Sequence, residues 1–141
     1  MLKGISPLLS PDLLHVLSSM GHGDELVLAD ANFPAATHGR RLVRTPGIAA
    51  PALLDAILDL LPLDDFVEHA ALTMQVVGDA TAVPPVVAEF DAVLARHQEQ
   101  ASAALERYAF YARAATAFAV VATGETRIYG NILIKKGVVR P

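Results

Sequence analysis

The chain has 141 residues, of which 53% are hydrophobic, and a net charge of −4. This composition fits one folded domain and argues against a nucleic-acid-binding protein, because only two short clusters, residues 40–44 and 135–136, are basic. No cysteine is present, which excludes disulfides, thiolate catalysis and cysteine-ligated zinc. The first residues form no apolar signal region and no apolar run could span a bilayer, so we predict a cytoplasmic protein without membrane segments.

The first half of the chain predicts two helices with a strand between them. Ser10, as the N-cap, begins the first helix, and Gly21 is its predicted left-handed cap at the C-terminus. Residues 26–29 are a short continuous apolar run, which is typical of a strand covered on both faces. Residues 35–48 predict a loop, and Pro51 begins the second helix.

The second half predicts further alternation of strands and helices. Residues 72–77, 117–122 and 129–135 are predicted strands; helices are predicted from residue 84 and over 103–116. Helices between strands favour an α/β fold. We therefore predict a single-domain, three-layer α/β/α structure with a central mixed sheet, in which the last two strands form a hairpin.

Two titratable residues flank the first predicted strand. His22 follows the first helix, whose C-terminal dipole favours an imidazolium that can donate a proton near neutral pH, although a histidine that caps the helix is the alternative. Asp30 follows the strand, where ligands collect in layered α/β folds, although an Asx turn or an N-cap is the alternative. This arrangement predicts an acid and a base that lie close together.

Further polar candidates lie near the C-terminus. Arg107 and Tyr111 share a helical face with Tyr108 beside them, so the guanidinium could bind sugar hydroxyls or a carboxylate; a surface ion pair and packed tyrosines are the alternative. Tyr129 and Asn131 alternate along a predicted strand and share a side, where a phenol and an amide can hold a diol or satisfy nearby backbone.

The other histidines predict no metal site. His15, His38, His69 and His97 lack the spacing of a histidine pair that ligates a metal. The chain also lacks a dinucleotide or phosphate-loop fingerprint and a nucleophile elbow. We therefore predict neither a metal nor a cofactor.

Six segments, in this order along the chain, resemble the ribose pyranase and fucose mutarotase family. They are residues 1–11 (MLKGISPLLSP), 20–25 (MGHGDE), 29–35 (ADANFPA), 107–111 (RYAFY), 117–125 (AFAVVATGE) and 129–138 (YGNILIKKGV). Arg107 resembles the fucose branch, because the ribose branch is expected to carry histidine in that neighbourhood. Two positions differ: Asn32 stands where some members have histidine, and Ala112 interrupts a Phe-Tyr-Glu-Arg-Ala pattern.

The resemblance implies an isomerase that interconverts the α and β anomers of a free monosaccharide, L-fucose, by acid–base ring opening and closure. It implies His22 as the proton donor and a sugar-binding set of Asp30, Arg107, Tyr129, Gly130 and Asn131. It also implies one mutarotase-like domain over residues 1–141 and a ring-shaped homo-oligomer, which in this family is commonly a decamer. The alternatives are a D-ribose pyranase, which exchanges pyranose and furanose rings, and a sugar-binding protein without catalysis.

Overall fold

The computed structural model describes all residues from Met1 to Pro141. In chain order its elements are α1 (Pro11–Ser19), β1 (Glu25–Ala29), α2 (Ala35–His38), β2 (Leu42–Thr45), α3 (Ala50–Leu58), β3 (Ala71–Met74), α4 (Pro85–Arg96), β4 (Ala103–Leu105), α5 (Arg107–Thr116), β5 (Ala119–Thr123) and β6 (Ile132–Lys135). The six strands form one sheet in the order β2-β5-β1-β6-β3-β4. Only β6 runs antiparallel to its neighbours, so the predicted mixed sheet is confirmed.

Each face of the sheet is covered by helices. Along β1, Leu26 and Leu28 pack into one apolar cluster with α1, α3 and α4, whereas Val27 and Ala29 pack into a second cluster with α2 and α5. Side chains of a strand alternate between faces, so a fully apolar β1 supplies both clusters. The three-layer α/β/α architecture predicted from the sequence is confirmed. None of the five helices has the length and hydrophobicity that a membrane span requires.

One edge of the sheet collects chain segments that bear polar side chains. The parallel strands β1, β2, β3 and β5 all end there, and the antiparallel β6 begins there. Asp30, directly after β1, and Asn131, directly before β6, therefore meet at this carboxyl edge. The opposite, amino edge contains the turn between α1 and β1, which includes His22.

The start of α1 agrees with the prediction and its end does not. The Leu13 N–H donates to the Ser10 hydroxyl at 3.2 Å, which confirms the N-cap. Gly21 does not form the left-handed cap: Met20 ends the helix in an extended conformation, and the positive φ, 84°, belongs to Gly23. The Gly21 N–H instead donates to the Asp24 carboxylate at 2.8 Å, which tightens the turn.

Two further predictions of local structure are wrong because pairing across the sheet overrides local sequence preference. Residues 35–48 contain α2 and the edge strand β2, which pairs with β5. Residues 103–105 form the edge strand β4; α5 begins only at Arg107, where the Glu106 carboxylate accepts hydrogen bonds from two N–H groups of the first turn.

The predicted C-terminal hairpin is also wrong. Strand β1 lies between β5 and β6, pairing in parallel with the former and antiparallel with the latter. Strand β6 begins at Ile132, so Tyr129 and Asn131 precede it, and Tyr129 has a φ of 63°. The strand alternation inferred for this pair therefore does not exist.

Candidate active site

A cavity of about 230 Å³ opens at the carboxyl edge. Its volume lies below the roughly 300–1,000 Å³ of sites for drug-sized ligands, so its ligand is small. The polar part of its lining consists of Asp30, Asn32, Arg107, Tyr111, Tyr129 and Asn131. The apolar part consists of Phe33, Met74, Val77 and Ile128. The structure thus brings together four of the six predicted site residues, places buried Gly130 between two of them, and leaves His22 outside.

Asp30 and Asn131 form a buried, reciprocal pair. The Asp30 N–H donates to Asn131 Oδ1 at 2.8 Å, and Asn131 Nδ2 donates to Asp30 Oδ2 at 2.9 Å. The Asn32 N–H donates to Asp30 Oδ1 at 2.9 Å, so the Asx-turn reading of Asp30 also holds. Burial raises the pKa of the Asp30 carboxyl, although these hydrogen bonds act in the opposite direction. The result is a fixed carboxylate that accepts a proton more readily than a solvated one.

The segment before β6 is held in a strained and closely packed conformation. Tyr129 has a φ of 63°, a region that residues with a side chain seldom occupy, and its hydroxyl accepts a hydrogen bond from the Val77 N–H at 3.1 Å. At Gly130, a Cβ would lie 2.6 Å from Glu125 Cγ and 3.0 Å from the Arg127 carbonyl oxygen. Gly130 is therefore required by the close approach of the Glu125 side chain.

Gly130→Ala is expected to destabilise the protein, because overpacking at such a contact costs about 1–3 kcal/mol. Urea denaturation of both proteins measures the change in the free energy of unfolding. Gly21→Ala is the matched control: its Cβ would meet only the Asp24 carboxylate, at 3.7 Å, and we expect a change within about 0.5 kcal/mol. Equal effects of the two substitutions would contradict the packing argument.

Arg107 presents a guanidinium with unused hydrogen-bonding capacity at the cavity. Its NH2 group donates to the Tyr108 hydroxyl at 2.9 Å, with Cζ 4.7 Å from the centroid of that ring. The buried Nε donates to no group of the chain. Arg107 and Tyr111 both line the cavity, as their shared helical face predicted. The alternative ion pair with Glu106 is absent, since Glu106 caps α5.

An aromatic stack that the sequence did not predict supports this side of the cavity. The His38 ring stacks on Tyr111 with centroids 5.0 Å apart and planes 7° apart. Phe33 contacts both rings, at 6.1 Å from His38 and 5.5 Å from Tyr111. Phe33 and His38 are five positions apart, whereas Tyr111 lies far along the chain in α5, so no local spacing pointed to the stack of His38 on Tyr111. No cluster of three or more histidine and acidic residues is placed to hold a metal ion.

His22 lies at the amino edge, far from the cavity in the same chain. Its Nε2 is 3.1 Å from Asp64 Oδ1, and its ring lies 5.5 Å from that of Phe66. β1 separates His22 from Asp30, and its five residues alone span about 13 Å at ~3.3 Å per residue. The expectation that acid and base lie close together is therefore wrong within one chain. The helix-capping alternative fails too, because Lys136 Nζ donates to the Met20 carbonyl at the end of α1.

His22 nevertheless has the setting of an oriented proton donor. Asp64 is 6% exposed, and the Phe66 N–H donates to the same Oδ1 at 3.1 Å. This backbone hydrogen bond and the His22 ring hold the pKa of the Asp64 carboxyl below its usual value. The His22 side chain remains 47% exposed, so it is held by one fixed carboxylate and open on its other side. The sequence did not point to Asp64, because it lies 42 positions from His22 along the chain.

The fold and the cavity define a small α/β protein whose carboxyl edge has a cavity of the size of a small ligand, lined by both polar and apolar side chains. A sequence model of the RbsD / FucU transport protein family matches residues 3–139. The chain belongs to this family. The family resemblance stated from the sequence motifs is thereby confirmed.

Similarity to known members extends over nearly the whole chain. A fucose mutarotase from Homo sapiens is 49% identical over 97% of this chain and 94% of its own length. An L-fucose mutarotase from Actinobacillus pleuropneumoniae serotype 5b (strain L20) is 48% identical over 98% and 97%. A crystal structure of the fucose mutarotase from Streptococcus pneumoniae in complex with L-fucose matches with a TM-score of 0.93, at 45% identity, over 99% of this chain and 100% of that chain.

Proposed function

We propose that this chain is an isomerase that interconverts the α and β anomers of free L-fucose. The observation that carries the proposal is the buried Asp30–Asn131 pair, which faces a cavity for a small ligand. Support comes from relatives at 48–49% identity that are named as fucose mutarotases and from a similar structure that contains L-fucose. We further propose a single domain over residues 1–141 that works in the cytoplasm.

The proposed mechanism opens and recloses the sugar ring by acid–base catalysis. A base removes the proton of the anomeric hydroxyl while an acid protonates the ring oxygen, and the bond between C1 and that oxygen breaks. The aldehyde rotates about the C1–C2 bond, and reversal of the steps on its other face gives the other anomer. Each positioned acid or base typically contributes about 10²–10⁴-fold, which suffices for a reaction that already proceeds in water.

The residues take distinct roles in this scheme. Asp30 accepts the proton from the sugar, because its raised pKa and fixed orientation suit a base. Arg107, Tyr129 and Asn131 bind sugar hydroxyls, and Gly130 maintains the close packing of the segment that contains Tyr129 and Asn131. His22 donates the proton to the ring oxygen.

Since His22 lies at the amino edge, we propose that a second copy of the chain supplies it. Contact between the amino edge of one copy and the carboxyl edge of the next is heterologous, and such contacts close into rings when the rotation fits. Both edges expose large aromatic side chains: Phe66 beside His22 is 70% exposed, and Tyr108 beside Arg107 is 66% exposed. Burial of such side chains between copies favours association. This geometry supports the ring-shaped homo-oligomer that the resemblance implies.

Saturation-transfer NMR between the two anomeric protons of L-fucose tests the proposal, with D-ribose measured in parallel. We expect the protein to accelerate exchange on L-fucose and His22→Ala to abolish most of that acceleration. His69→Ala is the matched control, because His69 has a similarly exposed side chain that pairs only with Glu68. Acceleration on D-ribose alone would favour the pyranase, and sugar binding without any acceleration would favour the sugar-binding protein.

A further inference from the structure

The half-buried ring of His38 contacts other aromatic rings instead of a carboxylate. Three other histidines of the chain each pair with a carboxylate: His22, His69 and His97. The His38 ring stacks on that of Tyr111 with centroids 5.0 Å apart, and its centroid lies 6.1 Å from that of Phe33. His38 does not line the cavity, whereas Tyr111 and Phe33 do. His38 therefore reaches a ligand of the cavity only through the rings that it contacts.

The packing of α2 fixes the position of His38. His38 is the last residue of this short helix, which packs against β5 and α5. The helix ends at Gly39, whose N–H donates to the Ala35 carbonyl oxygen at 2.7 Å. A Cβ at Gly39 would lie 2.8 Å from that oxygen and 3.3 Å from Val120 Cβ, so the end of α2 approaches β5 closely. The imidazole is thus presented to α5 from a fixed backbone.

Tyr111 is the one tyrosine whose hydroxyl has no hydrogen-bond partner in the chain. The hydroxyls of the other two, Tyr108 and Tyr129, accept hydrogen bonds at 2.9 and 3.1 Å. The Tyr111 ring contacts three other rings: His38 on its face, Phe33 at 5.5 Å and Tyr108 at 6.4 Å. A long side chain in a helix has two common χ1 rotamers, so these contacts select the one in which Tyr111 lines the cavity. The rings hold the side chain, and its hydroxyl stays free for a ligand.

Resting on the proposed function, we propose that His38 is a positioning residue for the sugar site. Its ring holds the Tyr111 ring in place before the sugar binds, and the free Tyr111 hydroxyl then bonds to a sugar hydroxyl. Ordering one side chain in advance removes a cost that the ligand would otherwise meet on binding, which is worth about 2–10-fold in affinity. A stacked aromatic pair supplies an interaction of the same size. His38 thus lowers KM without touching the sugar.

Two substitutions of His38 test this inference on the intact protein, since one removes the ring and the other keeps a flat ring. We expect His38→Ala to raise KM for L-fucose anomer exchange about 2–10-fold at unchanged kcat, because a contact made equally in the ground and transition states changes KM alone. His38→Phe retains a ring that stacks on Tyr111 and should keep KM near that of the unmodified protein. The matched control is His15→Ala, because His15 is exposed on α1.

The outcomes of these kinetics separate the inference from the proposed function. A KM in His38→Ala equal to that in His15→Ala would overturn the inference and leave the proposed function intact. The same holds for a rise in KM that is as large in His38→Phe as in His38→Ala. No acceleration of L-fucose exchange by the unmodified protein would overturn the proposed function and this inference with it.

A double-mutant cycle with Tyr111→Phe distinguishes positioning from a general loss of structure. Tyr111→Phe removes the hydroxyl and keeps the stacked ring, so it should itself raise KM. If His38 acts through that hydroxyl, adding His38→Ala to Tyr111→Phe should raise KM no further. Additive effects of the two substitutions on KM would give His38 a role independent of Tyr111 and overturn the inference.

NMR of the tyrosine rings gives a readout that needs no activity. The chain has three tyrosines, so isotope-labelled tyrosine gives few ring signals, and their comparison with Tyr111→Phe assigns those of Tyr111. The ring current of a stacked imidazole displaces these signals. His38→Ala should move them toward the positions of an exposed tyrosine, whereas His38→Phe should keep them displaced. Tyr111 signals at the same positions in His38→Ala and in the unmodified protein would overturn the inference.

Discussion

Two inactive variants, His22→Ala and Asp30→Asn, are expected to regain mutarotase activity when they assemble together. The reason is that β1 places His22 and Asp30 at opposite edges of the same chain, so the site that we propose takes each from a different copy. In a ring with random 1:1 mixing, about one quarter of the sites combine an intact histidine with an intact aspartate. We therefore expect co-refolded rings to reach up to about a quarter of the rate of the unmodified protein. NMR measurement of L-fucose anomer exchange gives this rate.

The complementation experiment has a direct control. The same variants, assembled separately and mixed without dissociation, are expected to stay inactive, because their subunits do not exchange. If both residues acted within one chain, every chain in the mixed ring would lack one of them. Persistent inactivity of co-refolded rings of normal size would therefore contradict the shared site.

Asp30→Asn alone is expected to lower kcat for L-fucose by about 10²–10⁴-fold, the typical contribution of a positioned base. The substitution also affects stability. The two carboxylate oxygens accept hydrogen bonds from the Asn32 N–H and Asn131 Nδ2, and an amide presents only one acceptor oxygen. One donor then loses its partner, which costs about 1–3 kcal/mol. Thermal unfolding measured beside kcat separates the loss of the base from a loss of folded protein.

The pH dependence of the mutarotase activity tests the role of Asp30 independently. Burial raises the pKa of Asp30 above its ordinary 3.8, and a base works only when deprotonated. Activity of the unmodified protein is thus present above the raised pKa and is lost as the pH falls through it, before pH 3.8 is reached. In Asp30→Asn, the residual activity should no longer fall as the pH is lowered through this range. In the exposed control Asp59→Asn, the fall in activity at acidic pH, the acidic limb of the pH profile, should remain. An unchanged limb in Asp30→Asn would assign it to another group.

Local sequence signals determined the parts of this protein that depend on neighbouring residues. Ser10 begins α1 because its hydroxyl lies within reach of the Leu13 N–H three residues later. The apolar run in β1 predicted a strand covered on both faces, because side chains alternate along a strand. The alternation of such strands and helices along the chain was enough to predict the three-layer α/β/α class. The motifs, taken in their order along the chain, were enough to identify the family and four residues that line the cavity.

Only the tertiary structure decided which elements are neighbours. The hairpin prediction failed because β1 pairs with both β5 and β6, and no local pattern encodes a pairing of residues about a hundred positions apart. The same sheet order brings Asn131 to Asp30, Val77 to Tyr129 and Asp64 to His22. It also sends His22 and Asp30 to opposite edges, although only seven residues separate them along the chain. The sequence alone therefore named four residues that line the cavity, whereas the length of one extended strand decided that His22 of the same chain is not among them.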